Sequence, residues 1–483
     1  MQRYITLLTF CCFFTCSLFA GSPGYNIRIK LDHYAEKELI LGFYYGEKPY
    51  VKDTATLGED GYFTFKADTL LPQGIYILVL KPKNDFIQFV LPPDDQDFTL
   101  MGDAEDIINK IKFKGSDDND HFYAYMHFLG KLRPEADTLR KQMEKAKGNA
   151  PDSTRLSNAL NDLDKSVKKY QKDFLAKYGT TCTAKMMRAS IDPDQPEFKG
   201  DEKQRIDQAR NWWRTHYFDN VDLADPFMLR TPVLHPKIDQ YVEKFTVPHP
   251  DSINQALDFV LGKVKKSPET FKYYLIHFLN AYAKSNIVGM DACYVHLAEN
   301  YYCTGQSPWV KQEELEKICD NAARLKPILI GKIAPNITVK DRNNQVHSLW
   351  DVDSDYTVLF FWDPECGHCK KAAPFMVEFA KQFKDRGVKV FAVCTAVTDK
   401  AGECWKSAEE KGFEEGLFLN MFDPFIQSRY KTLYDVRTTP QIFILDRKHE
   451  ILMKRISGEE LAKIMEQVMK IQEEKKKNAG SKQ

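Results

Sequence analysis

Thr357-Val358-Leu359-Phe360-Phe361-Trp362-Asp363-Pro364-Glu365-Cys366-Gly367-His368-Cys369 is the stretch on which the reading turns. Its first six residues are an unbroken apolar run of strand length. The segment Lys370 to Arg386 that follows has the pattern of a helix. A strand that ends in Trp-x-x-x-Cys-x-x-Cys and turns into a helix sets the first thiol at the helix N-terminus, where free N–H groups and the macrodipole favour an anion. The thiolate is the species that attacks disulfides, so the pair reads as a dithiol redox site.

Working outward, the third unit starts near Pro327. A hairpin is expected around Asp341 to Asn344, then strand Tyr356 to Phe361, helix Lys370 to Arg386, strand Val388 to Cys394 and helix Lys400 to Lys411. Strands Gln441 to Leu445 and Ile451 to Ile456 and helix Gly458 to Glu474 complete it. That order predicts an α/β domain around a mixed sheet. From Tyr25 to about Gly102, short alternating runs separated by turns such as Gly58-Glu59-Asp60-Gly61 predict an antiparallel β-sandwich. Beyond Gly115, Leu156, Leu160, Leu163, Val167, Tyr170, Phe174 and Tyr178 recur at helical spacing, and further helical segments run to Arg324. The expected division is a signal peptide at 1–22, a β-sandwich domain at 23–115, a helical domain at 116–326 and an α/β domain at 327–483.

The signal assignment rests on Arg3, the apolar run Ile5 to Phe19 and the small residues Ala20-Gly21-Ser22, with cleavage after Ala20 or Ser22. Lipoprotein anchoring is not expected, because Phe13-Phe14-Thr15 is a poor approach to Cys16. The remainder carries no apolar stretch near the roughly 20 residues that span a bilayer. An exported protein of the periplasm or cell envelope is therefore expected. The 483 residues hold 68 basic and 68 acidic side chains, so charge gives no reason to expect a nucleic-acid partner. Export also leaves the pairing of Cys182, Cys293, Cys303 and Cys319 open, with three connectivities. Cys394 and Cys404 read as buried, unreactive thiols rather than as a second pair. No metal is expected, because the histidines are scattered and the cysteines lack zinc spacing.

Residues 330–475 resemble the thioredoxin-fold domain of exported TlpA/ResA-like proteins. The likeness is carried by Gly331-x-x-Ala334-Pro335, by Phe360 to Cys369, by Tyr434-x-Val436 and by Thr438-Thr439-Pro440. The whole chain is similar to multidomain thiol-disulfide oxidoreductases of Gram-negative bacteria. For the two leading units that similarity rests on Asp60 to Phe65, Phe218 to Asp222 and Leu229-Arg230-Thr231-Pro232, and implies architecture only. The resemblance implies a multidomain fold class: an N-terminal all-β sandwich, a central all-α domain and a C-terminal α/β thioredoxin-like fold. It further implies a cis Pro440 beside the dithiol, which excludes metal there. Thr439 and Pro440 would bind an extended substrate segment, and Trp362 would cover the thiols with an apolar face.

On that footing Cys366 is the nucleophile and Cys369 the resolving thiol, with no cofactor beyond the redox-active Cys366–Cys369 disulfide. His368, when protonated, would stabilise the Cys366 thiolate and Glu365 would oppose it, so the pair is expected midway in the range of roughly −270 to −120 mV. Two features depart from thioredoxin: Phe360 stands where thioredoxins place a buried acid, and the Gly-His dipeptide resembles protein disulfide isomerases. The expected activity is a protein-disulfide reductase acting on protein thiols and disulfides and kept reduced by a membrane or periplasmic electron donor. A disulfide oxidase or isomerase, and a non-enzymatic envelope binding protein with a vestigial redox domain, are the alternatives. A peroxidase is not expected, since Asp363 and Leu359 occupy the positions where peroxiredoxins carry Thr and Pro.

Overall fold

The computed structural model describes residues 24–146, 150–397 and 401–480; the expected signal peptide lies outside the described residues. Two compact units emerge. One runs up to Thr246 and includes Gly262–Phe271, and the other comprises Val247–Leu261 and the chain from Lys272 onward.

The first unit opens with β1 (Tyr25–Asp32), β2 (Glu38–Tyr45), β3 (Lys48–Thr56), β4 (Phe63–Ala67), β5 (Gly74–Leu80), β6 (Asp85–Leu91), β7 (Asp97–Asp103) and β8 (Lys112–Lys114). They form two four-stranded sheets, ordered β4-β1-β7-β8 and β3-β2-β5-β6. The sandwich is not wholly antiparallel as expected, because β1 and β7 run parallel, joining Asn26 to Asp97 through Asp32 to Asp103. Strand β3 escaped sequence reading because nearly all its side chains are exposed, which leaves no alternation to detect.

Helices follow: α1 (Ile107–Lys110), α2 (Asp117–Lys145), α3 (Ala150–Tyr178), α4 (Cys182–Ser190), α5 (Glu202–His216), α6 (Leu234–Lys244), α7 (Pro250–Val264), α8 (Pro268–Ala283), α9 (Asp291–Leu297) and α10 (Gln312–Leu325). Helix α2 was not anticipated, since Pro134 inside it reads as a breaker. A disulfide joins Cys303 to Cys319, whereas Cys182 and Cys293 are buried free thiols.

The C-terminal sheet has seven strands: β9 (Thr338–Lys340), β10 (Val346–Ser348), β11 (Tyr356–Trp362), β12 (Val388–Cys394), β13 (Phe418–Phe422), β14 (Gln441–Asp446) and β15 (Ile451–Lys454). Their order is β10-β9-β13-β12-β11-β14-β15. Strand β11 lies inside this sheet, parallel to β12 and antiparallel to β14, with every residue buried. That explains its unbroken apolar run, because helices cover both faces of a central strand. Val358, Phe360 and Trp362 point to one core with α11 (Gly367–Phe383) and α14 (Leu461–Gly480). Leu359 and Phe361 point to the other, with Tyr430 and Tyr434. The end of α11 is set by Gly387 at φ 71°, where a Cβ would lie 2.4 Å from the Asp355 carboxylate.

Between β12 and β13 the chain crosses over through α12 (Ala401–Glu410). Here one expectation fails, because Cys394 and Cys404 are joined as a disulfide, with Cα atoms 6.2 Å apart. The crossover returns α12 over the end of β12, which brings two residues of separate elements into bridging range.

A C-terminal dithiol at a helix N-cap

Strand β11 delivers the chain to Trp362, and Asp363-Pro364-Glu365 turns it into α11. The turn is held by the Asp363 carboxylate, which accepts from the Glu365 backbone N–H at 2.8 Å. The helix begins at Gly367, three residues earlier than the sequence suggested, so Cys366 is its N-cap. In that position the sulfur accepts from the Cys369 backbone N–H at 3.4 Å, as an oxygen does in an ordinary capping residue. The other side of the site is built by Thr439 and Pro440, joined by a cis peptide. The Cys366 thiol donates to the Thr439 carbonyl at 3.1 Å.

The two sulfurs have unlike surroundings. Cys366 is partly exposed and Cys369 only 1 % exposed; neither is in a disulfide here. Burial works against ionising Cys366, but the Thr439 side chain and the backbone N–H groups of Cys369 and His368 outweigh it and hold the thiol below its ordinary pKa. Cys369 sits in hydrocarbon, and burial pushes it up to about 12, although the Asp363 backbone N–H, 3.5 Å from its sulfur, and Thr439 pull the other way. The arrangement separates a thiol whose ionisation is favoured from one that holds its proton.

His368 and Glu365 are both exposed. His368 lines a cleft of about 600 Å³ together with Lys371, Arg437, Thr438, Pro440 and Gln441. Thus His368, Thr439 and Pro440 gather around Cys366. Trp362 does not join them as expected. It is 2 % exposed and packs edge-on to Phe413 at 5.2 Å within the core that holds Cys369. A ring so enclosed offers a substrate no surface, and Trp362 belongs to the buried core that also holds the Cys369 sulfur. Phe360 is fully buried and packs against Phe413, so the thioredoxin acid is replaced by hydrocarbon.

Sequence reading missed three side chains near the thiols. Lys371 and Arg437 line the cleft beside His368, and Lys411 follows helix α12. Only its spacing from Cys404, about two helical turns later, hinted that it shares that helix's buried face. Cys394 and Cys404, being oxidised, offer no thiolate to a metal. Elsewhere, His33, Asp103 and Glu105 bring ligand atoms within 4.8 Å of one another. There Asp103 is already engaged by Lys110 at 2.7 Å and by His33 at 3.0 Å.

Residues 330–453 match the AhpC/TSA family. Residues 25–122 and 164–326 match two domain families of unknown function. Thiol-disulfide oxidoreductase ResA of Bacillus cereus is 30 % identical over 139 residues, which cover 28 % of this chain and 75 % of that protein. ResA of Bacillus thuringiensis is 27 % identical over 141 residues, covering 29 % and 77 %. A solved thioredoxin-like protein from Bacteroides caccae is 20 % identical and covers 58 % of this chain and 97 % of its own, with a TM-score of 0.43.

Proposed function

Because the chain belongs, through its C-terminal part, to the ResA family of thiol-disulfide oxidoreductases, it is an enzyme of thiol–disulfide exchange, and we propose that it works as an exported protein-disulfide reductase through Cys366 and Cys369. In the reduced protein the Cys366 thiolate attacks a substrate disulfide. One substrate sulfur leaves as a thiol and the other stays bonded to Cys366. Cys369 then attacks Cys366, the substrate's second thiol leaves, and a Cys366–Cys369 disulfide remains. A membrane or periplasmic electron donor returns that disulfide to the dithiol.

The observation that carries this reading is the contrast between the sulfurs, one half-open at a helix N-cap beside Thr439 and the other sealed. It supports the reducing direction as follows. A couple becomes strongly oxidising when its exposed thiolate is greatly stabilised. Here burial offsets part of the gain from the N–H donors. The exposed His368 ring adds less than about 1 kcal/mol at such a site. Two disulfides elsewhere in the chain, Cys303–Cys319 and Cys394–Cys404, support an oxidising compartment. No helix among the described residues is long and apolar enough to cross a membrane.

Equilibration with glutathione tests the direction. A potential below roughly −200 mV and turnover of insulin disulfides are expected, whereas a value near −120 mV would make the protein an oxidase. Reactivation of scrambled ribonuclease without net reduction would instead favour the isomerase reading that the Gly-His dipeptide suggests.

A further inference from the structure

Resolution of the mixed disulfide requires Cys369 to lose its proton inside a hydrocarbon pocket, and Phe360 supplies no carboxylate to help. The surroundings of Lys411 answer that need. Helix α12 is tied at Cys404 to Cys394, and Cys394 lies opposite Trp362 in the β11–β12 register. Ser407, buried on the same helix, accepts a hydrogen bond from the Lys411 ammonium. The Lys411 Nζ then lies 5.6 Å from the centre of the Trp362 ring, which shares its buried core with Cys369. Gly412, at φ 75°, turns the chain so that Phe413 packs edge-on against Trp362.

Resting on the reductase reading above, we propose that Lys411 is a positioning residue for the resolving step, its ammonium supplying the positive charge that lets buried Cys369 ionise. The charged groups bearing on it, among the described residues, are Lys370 on α11, Glu410 on its own helix, and Cys369 itself. Burial and Lys370 lower the Lys411 pKa, while Glu410 and a Cys369 thiolate raise it. The same ammonium that is costly beside a neutral thiol is therefore favoured beside a thiolate. In the step, Cys369 gives its proton to solvent and its sulfur attacks Cys366. The Cys366–substrate bond breaks, and its electron pair leaves on the substrate sulfur, which is protonated from solvent. No outside oxidant or reductant enters.

The full-length reduced protein can be mixed with a neutral dipyridyl disulfide, on which Lys411 has no charge to act. Attack by Cys366 releases one thiopyridone and closure by Cys369 releases a second, so the two steps are read separately. Lys411→Met is expected to leave the first release unchanged and to slow the second about tenfold at neutral pH, the equivalent of one pKa unit on Cys369. The pH profile of the second release should move up correspondingly, and Lys411→Arg should restore most of the rate. An unchanged second release in Lys411→Met, or equal slowing by Met and Arg, would overturn the proposal. Circular dichroism confirms that each variant is folded, and Lys411→Gln replaces Met if that variant is not. Absence of the first release in the unaltered protein would instead refute the reductase reading itself.

Discussion

The pair Cys366 and Cys369 and the pair Cys394 and Cys404 stand at the same end of neighbouring parallel strands, β11 and β12, where Cys394 pairs with Trp362, four residues before Cys366. Their environments differ in two respects. Cys366 faces partly outward and caps a helix whose N–H groups reach its sulfur. Cys394 and Cys404 are 1 % and 0 % exposed and already bonded to each other. Cysteine proximity is common to both, so reactivity comes from access and from polar donors, while the same chemistry without access makes a tie between a strand and a helix.

The largest effect that tests this contrast is loss of turnover. Cys366→Ser is expected to abolish insulin reduction, and Cys369→Ser to trap Cys366 in covalent adducts with target proteins, visible as high-mass bands on non-reducing gels. An active Cys366→Ser variant would break the comparison at its root. The sealed pair should behave in the opposite way. Replacing Cys394 and Cys404 together by Ala frees a loop whose ends are 10 residues apart, which by chain entropy costs about 2–3 kcal/mol in urea unfolding. Alkylation of Cys366 should be unaffected. A drop in its alkylation rate would show that the tie also shapes the open pair.

Much of this contrast was beyond the sequence, for reasons that differ by residue. Strand β11 and the dithiol were legible because both are local: seven buried residues in a row, then two cysteines on one helical turn. The Cys394–Cys404 bond was not, because it depends on how α12 returns over the sheet. Strand β13 was passed over because Phe418 to Phe422 is short and interrupted by Asn420, and its parallel partner β12 lies across the crossover. Trp362 was read by its spacing from Cys366, but spacing does not say on which side of the sulfur a ring falls. Lys411 has no local signature beyond its spacing from Cys404, and its place over Trp362 goes with the disulfide and with Ser407.

A smaller effect sharpens the comparison within the open pair. The rate of Cys366 alkylation against pH should have its midpoint below that of the same thiol in denaturant, because its folded pKa is lowered. The associated stability is present above the unfolded pKa and fades as pH falls through the folded one. Cys369 carries the opposite sign. Its pKa is raised to about 12, so its contribution is complete below the unfolded value and is lost as pH climbs toward that figure. The reduced protein should therefore lose stability in alkali while the protein oxidised at Cys366–Cys369 is spared this loss. Equal alkaline unfolding of the two forms would contradict the assignment.

The smallest effect separates two ways in which one residue acts on Cys366. His368 brings an imidazole to the cleft and a backbone N–H to the sulfur. His368→Ala removes only the first. His368→Pro removes both, and a proline is sterically acceptable in the first turn of a helix. If the exposed ring matters little, Ala should shift the potential by less than about 10 mV. Proline should make the pair more reducing by about 20–30 mV, the equivalent of roughly 1 kcal/mol for a lost hydrogen bond at a half-exposed sulfur. Equal shifts in the two variants would assign the tuning to the imidazole. A negligible shift with proline would mean that the Cys369 N–H and Thr439 alone hold the thiolate, and that the helix N-cap rather than the Gly-His dipeptide distinguishes Cys366 from the sealed cysteines beside it.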